Sequence, residues 1–233
     1  MAFSASSQNK DVSKRHASAK IAEILDRLQK VHGRPVSRIR FEPMEELISC
    51  ILSQHTTDVN SFPAFDRLRE ACPEWCMVVQ AGPEKVADWV RQAGLANQKA
   101  RHIVACLQKI YERSGDYTLE PIRQMPTDEA QAFLESLPGV GPKTATLVLS
   151  FSFGRPTIPV DTHILRVGKR LGIFPESASE KQAHTLAREI VPPDRTFDFH
   201  ALLIQHGRLY CRAPKPKCSD CVLVADCPWE GKP

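Results

Sequence analysis

The sequence predicts an all-α protein, and three observations carry that prediction. Apolar residues recur at helical spacing between proline and glycine breaks. β-Branched residues rarely alternate with polar ones, and no Asn-Gly hairpin turn occurs. The gaps between periodic segments are short, with no low-complexity linker. Taken in order, residues 16–31 place Ile21, Ile24, Leu25 and Leu28 on one helical stripe. Pro43 then opens a strongly apolar helix, PMEELISCILSQ, at a first-turn position where its missing N–H costs nothing. Further helices are expected near 61–71, 83–92, 97–113, 127–136, 142–152, 162–171, 179–190 and 197–209. The first 15 residues are polar and are expected to form a disordered tail.

Composition sets the outer limits. The 233 residues suit one large domain or two lobes, and 42% hydrophobic with 25% charged residues is ordinary for a globular protein. No apolar run approaches the roughly 20 residues of a membrane span, and the N-terminus lacks the apolar stretch of a secretory signal. The expectation is a cytoplasmic chain without a membrane partner. A net charge of +4 permits a polyanionic partner without demanding one.

Eight cysteines could suggest disulfides, but the chain is too long and too regular for a small disulfide scaffold. Cys50, Cys72, Cys76 and Cys106 fall in apolar helical patterns and read as buried thiols. The other four differ: Cys211-x6-Cys218-x2-Cys221-x5-Cys227 gathers four thiols within 17 residues. That density ligates either a tetrahedral zinc or an iron–sulfur cubane. Arg212, Lys215 and Lys217 lie between the first two ligands, either as solvated charges or as phosphate contacts.

Residues 134–147 read LESLPGVGPKTATL, and Leu137-Pro138-Gly139-Val140-Gly141 falls between two expected helices. Gly139 and Gly141 permit positive φ and remove side chains that would block close approach. Backbone N–H groups in such a turn, followed by a helix N-terminus, suit a phosphate oxygen. An isolated GxG would read as a helix C-cap, but the whole string LPGVGPKTA is the helix-hairpin-helix signature of DNA binding without base reading. Lys143 follows in the first helical turn, where the helix dipole disfavours an ammonium and favours a neutral amine nucleophile. Asp161 comes 18 residues later, in Pro159-Val160-Asp161-Thr162-His163. Taken singly, the lysine reads as a solvated or phosphate-contacting residue and the aspartate as an N-cap for THILRVGKRL.

Together, the hairpin, the Lys143…Asp161 pair and the four-cysteine loop resemble the endonuclease III family of DNA glycosylase/lyases in the helix-hairpin-helix superfamily. The resemblance spans nearly all of residues 35–227 and includes FEPMEELISCILSQHTTDVNS, GLANQKARHI and FDFHALLIQHGRLYC. It implies two helical lobes with a DNA-binding groove between them. One, over 36–154, would be a six-helix barrel carrying the hairpin. The other, 16–35 plus 155–233, would hold a [4Fe-4S] cluster on Cys211, Cys218, Cys221 and Cys227.

The resemblance further implies a monomeric, prokaryotic, nucleoid-associated base-excision enzyme. Its substrate would be double-stranded DNA containing oxidised pyrimidines or abasic sites, with the damaged nucleotide flipped out of the stack. Lys143 would be the nucleophile and Asp161 its acidic partner. His55 and Leu95 would fill the opened duplex, with Gln54 among the DNA-binding residues, and the family pattern carries glutamine where this chain has His55. A monofunctional glycosylase of the same fold is the first competing reading, although such enzymes usually lack the lysine. A cluster-bearing DNA binder without catalysis is the second, and a zinc-bound hairpin protein the third.

Overall fold

The computed structural model describes residues 4–35 and 41–232, with side chains described from Lys14 onward. Ten α-helices and four short 3-10 turns make up the regular structure, with no strand among the described residues. The chain divides into two compact units, one of Ile39–Arg155 and one of the flanking segments Met1–Arg38 and Pro156–Pro233. The expected boundary at 35/36 abuts residues 36–40, which lie outside the described residues.

The central unit is built from α2 (Pro43–Ser53), α3 (Asp58–Ala71), α4 (Trp75–Trp89), α5 (Ala96–Ser114), α6 (Thr127–Glu135) and α7 (Pro142–Phe153). Helix α2 buries Pro43, Met44 and every residue from Leu47 to Leu52, with only Glu45 and Glu46 of that stretch left half-buried, which is why its second half is apolar on most faces. It packs against α3, α5 and α7. Leu47, Ile48, Ile51, Leu68, Ile103, Leu107, Val148 and Leu149 form the middle of one continuous core. Burying each of these side chains contributes roughly 1.5–3 kcal/mol against chain entropy.

Two elements depart from expectation. Helix α3 begins at Asp58 rather than near 61, with Thr57 extended at its N-cap. Helix α4 starts at Trp75 rather than near 83, so the segment WCMVVQA, which lay outside the expected helix ranges although Cys76 falls in a helical pattern, is helical. Its Trp, Cys and Val residues have modest helix propensity, and burial of Val78 offsets that. Gly82 (φ 75°, ψ 166°) breaks the rod, and Pro83 restarts it, so α4 is two helical pieces meeting at a glycine.

The flanking unit contains α1 (Ser4–His32), α8 (Thr162–Arg170), α9 (Glu180–Ile190), α10 (Thr196–Leu209) and the cysteine segment. The expected tail over 1–15 is not what residues 4–15 form. Helix α1 runs back to Ser4 because no glycine or proline interrupts the chain before Gly33, and Lys14 pairs with Glu189 of α9 at 3.1 Å. Residues 1–3 lie outside the described residues. The predicted stripe Ile21, Ile24, Leu25 and Leu28 is buried in this unit's own core with Val160, Ile164, Phe174, Phe199 and Leu203. Arg27 ties α1 to the cysteine segment, pairing with Asp226 and donating to the Val222 carbonyl at 2.5 Å.

Candidate functional site

In the central unit, α6 ends at Glu135 and α7 begins at Pro142, leaving the glycine turn between them. The Val140 N–H closes the turn on the Leu137 carbonyl at 3.1 Å. The two glycines do different things. Gly139 has φ +77°, and a Cβ there would lie 2.8 Å from His102 of α5. Gly141 has φ −101°, an ordinary extended conformation, and a Cβ there would meet nothing. The sequence expectation that both glycines serve positive φ is therefore corrected to Gly139 alone. Gly141 is the N-cap of α7 and offers no side-chain cap. The first-turn N–H groups of α7 thus lack the side-chain acceptor that the first turns of α8 and α9 possess. Helices α2 to α6 also lack a side-chain cap, so what sets the α7 end apart is the glycine turn that leads into it.

Lys143 sits in this first turn with its side chain exposed. Its charge reaches Cys50 of α2, which is 9% exposed and donates its thiol to Glu46 Oε1 at 3.6 Å. Burial pushes the Cys50 pKa up first, the Glu46 carboxylate pushes it further, and Lys143 opposes both. The sequence reading of Cys50 as a buried thiol holds. Its placement beside the lysine was missed, although Glu46-x3-Cys50 is an i, i+4 spacing on one helix face.

Three more residues singled out in the sequence lie in this unit. Gln54 follows α2 and donates from Nε2 to the Gly139 carbonyl at 2.8 Å, tying the end of α2 to the hairpin. His55 is exposed in the left-handed region (φ 53°), and Leu95, 55% exposed, is there too (φ 49°). They are the two non-glycine residues with positive φ among those described. Strain of this kind gathers at ligand-contacting sites.

In the flanking unit, Asp161 is the N-cap of α8. Its Oδ1 accepts the Ile164 N–H at 2.8 Å, and the residue is 9% exposed. The backbone leading into it is held by two buried histidines: His200 Nδ1 lies 2.8 Å from the Pro159 carbonyl and His184 Nδ1 lies 2.9 Å from that of Ile158. Neither histidine stood out in the sequence, because nothing in their spacing distinguishes them from ordinary core positions. His163 is kept toward its neutral form mainly by burial, with the Asp161 charge acting the other way. Arg166 joins His163 Nδ1 (3.1 Å) to the carbonyls of Gly207 (3.0 Å) and Cys211 (3.0 Å).

Cys211, Cys218, Cys221 and Cys227 line one cavity, closed in part by His206 and Trp229. Cys211 Sγ accepts from Arg170 Nη1 at 3.3 Å, and the Cys227 thiol donates to the Arg170 carbonyl at 3.3 Å. Arg170 itself lies under the Trp229 ring, 4.0 Å from its centre. Cys221 Sγ accepts the Leu223 N–H at 3.4 Å and faces His206 Nε2 at 3.5 Å. Burial and the neighbouring thiolates raise the Cys218 and Cys221 pKa values. Four soft donors that repel one another when ionised can ionise together only around a cationic centre. Among the described residues no three His, Cys, Asp or Glu side chains converge on a position for a single metal ion. Thiols spread around a shared cavity suit a cluster, whose own atoms fill the space between ligands. Arg212, Lys215 and Lys217 are all exposed on the loop between the first two cysteines. His206 is 2% exposed, and burial lowers its pKa to about 4, with His32 adding to the shift from 3.4 Å away.

Lys143 belongs to one unit and Asp161, with the cysteines, to the other. Comparison with known proteins takes in both. Residues 48–193 match the HhH-GPD superfamily of base excision DNA repair proteins. The chain is 36% identical over 215 residues to endonuclease III of Escherichia coli strain K12, covering 92% of this chain and 97% of that one. It is 34% identical to endonuclease III of Haemophilus influenzae, covering 90% and 95%. Among solved structures it resembles a trapped endonuclease III–DNA covalent intermediate, with a TM-score of 0.77 at 31% identity over 91% of this chain and 95% of that one.

Proposed function

The chain belongs to the HhH-GPD superfamily of base excision DNA repair proteins, and on that premise we propose that it is a DNA glycosylase with AP lyase activity that uses Lys143 as its nucleophile. The observation that carries the reading is the exposed lysine in the first turn of α7, directly behind a glycine turn whose helix end has no side-chain cap. Backbone donors at that end hold a phosphate of the damaged strand, and the side chain beside them faces the sugar.

The chemistry follows from the groups. Once an oxidised pyrimidine is out of the stack, Lys143 Nζ bonds to C1′ as the glycosidic C–N bond breaks, and the base leaves with that electron pair and a proton. Loss of the amine proton and ring opening give a Schiff base, which acidifies C2′. Removal of the C2′ proton expels the 3′ phosphate by β-elimination, and water then releases the lysine. Asp161, fixed by the Ile164 N–H, stabilises positive charge developing on the sugar and accepts a proton.

Cys211, Cys218, Cys221 and Cys227 hold a [4Fe-4S] cluster in this reading. When bound, it closes the loop carrying Arg212, Lys215 and Lys217, which contact phosphate. The protein acts as a monomer on double-stranded DNA with oxidised pyrimidines or abasic sites, in the nucleoid of a prokaryotic cytoplasm. Among the described residues no helix is long and apolar enough to cross a membrane.

The test is borohydride trapping on duplexes with thymine glycol or an abasic site. A covalent adduct on both, absent in Lys143→Gln, is expected. Tight binding without an adduct would instead indicate a DNA-binding protein without this catalysis.

A further inference from the structure

Lys99, in the second turn of α5, is only 3% exposed, although it carries a charge. Taking an ammonium out of water costs several kcal/mol unless it is fully hydrogen-bonded, and burial lowers this one's pKa. Its Nζ donates to the Leu52 carbonyl at 2.6 Å and to the Ala93 carbonyl at 2.7 Å. These acceptors lie 47 and 6 residues away in sequence. One is in the last turn of α2 and the other in the 3-10 turn (Arg91–Ala93) that precedes α5.

Each acceptor sits just before one of the two strained, exposed tips. His55 comes three residues after Leu52, and Leu95 two residues after Ala93. A left-handed backbone is strained for any residue but glycine, so each conformation persists only where its surroundings fix it. The Lys99 backbone adds a further hold, its N–H donating to the Leu95 carbonyl at 3.0 Å. Gln54 ties the His55 segment to the hairpin through the Gly139 carbonyl. One buried cation is thus the shared anchor of both tips.

We infer that Lys99 is a positioning residue for duplex opening: by holding the Leu52 and Ala93 carbonyls to one ammonium, it sets the spacing and stiffness of His55 and Leu95 as they enter the space left by an extruded nucleotide. The inference rests on the glycosylase reading. Unstacking a base costs a few kcal/mol, and a side chain on a yielding loop gives back part of that work as loop motion. A fixed pair of tips does not. Lys99 does not touch the reacting atoms and acts through the two residues it anchors.

The experiment compares two substrates in the full-length protein: thymine glycol in a fully paired duplex, which must be opened, and an abasic site in an unpaired bubble, which is open already. 2-Aminopurine opposite the lesion reports unstacking directly. For Lys99→Met, single-turnover excision from the duplex and the fluorescence rise are expected to fall about tenfold or more, with cleavage at the bubble changed by less than about twofold. Lys99→Arg should recover most of the loss. Should Lys99→Met not fold, Lys99→Gln, which removes the charge and is too short to hold both carbonyls, carries the same comparison. Equal losses on both substrates, or no loss in a folded variant, would overturn the inference and leave Lys99 as a core staple. Wild-type protein inactive on both substrates would remove the glycosylase reading itself, and this inference with it.

Discussion

At Gly139 the backbone lies at φ +77°, with His102 where a Cβ would go, while Gly141 two residues on has an ordinary φ and open space beside it. Alanine therefore reads the two positions differently. Gly139→Ala is expected to cost about 2 kcal/mol or more, from left-handed strain plus contact with His102, and to lower Tm. Gly141→Ala is expected to shift stability by less than about 0.5 kcal/mol, because a weaker N-cap is offset by lower unfolded-state entropy. It should nevertheless weaken binding to undamaged duplex, since the methyl group enters the space beside the α7 donors. Equal effects of the two substitutions on Tm and on DNA affinity would contradict this division. Lys143, Asp161 and the cysteines were legible in the sequence because each sits in a string whose spacing carries chemistry. Lys99 and Cys50 were not: their roles depend on partners 47 and 93 residues away in sequence, which no local pattern encodes.

Three helix N-termini show how one local rule is used in different ways. Helix α9 has a capping box from Ser179 and Gln182, α8 has Asp161, and α7 has a bare glycine. The first two accept a first-turn N–H within the chain, whereas α7, like α2 to α6, has no side-chain cap, and in the proposed reading its first-turn donors face phosphate. Because asparagine caps a helix as well as aspartate does, Asp161→Asn should keep stability within about 0.5 kcal/mol of wild type while lowering base excision by about a hundredfold or more. Asp161→Ala should lose the activity and about 1 kcal/mol of stability as well. If the asparagine variant excises at the wild-type rate, Asp161 is a cap and nothing further. Most helices lay where apolar spacing and breakers put them, α5 through α8 to within a residue or two. The first piece of α4 escaped because seven residues span barely two turns, too few for a period to stand out, and only the pocket for Val78 makes it helical. The N-terminal extension of α1 escaped for the opposite reason: a polar segment carries no stripe, yet lacks any breaker.

Over the whole molecule, two separate cores mean that damage to one need not spread to the other. Replacing Cys221 by alanine should abolish the visible absorbance of a bound cluster. Amide exchange should then accelerate in α10 and residues 211–227, while the α2 and α5 amides around Leu47, Ile51, Ile103 and Leu107 keep their protection. Uniform loss of protection would show a single cooperative unit instead. The division of the chain also has a consequence for its birth on the ribosome. The flanking unit is made from both sides of the central one, so α1 is synthesised first but completed last. Ile21, Ile24, Leu25 and Leu28 acquire their partners only after residues 158–203 have been made. At about 5–20 residues per second, that apolar stripe waits on the order of ten seconds while the central unit is translated. The nascent chain therefore carries an exposed binding face for chaperones ahead of the central unit, and a stalled or truncated product would be sticky in a way the finished protein is not.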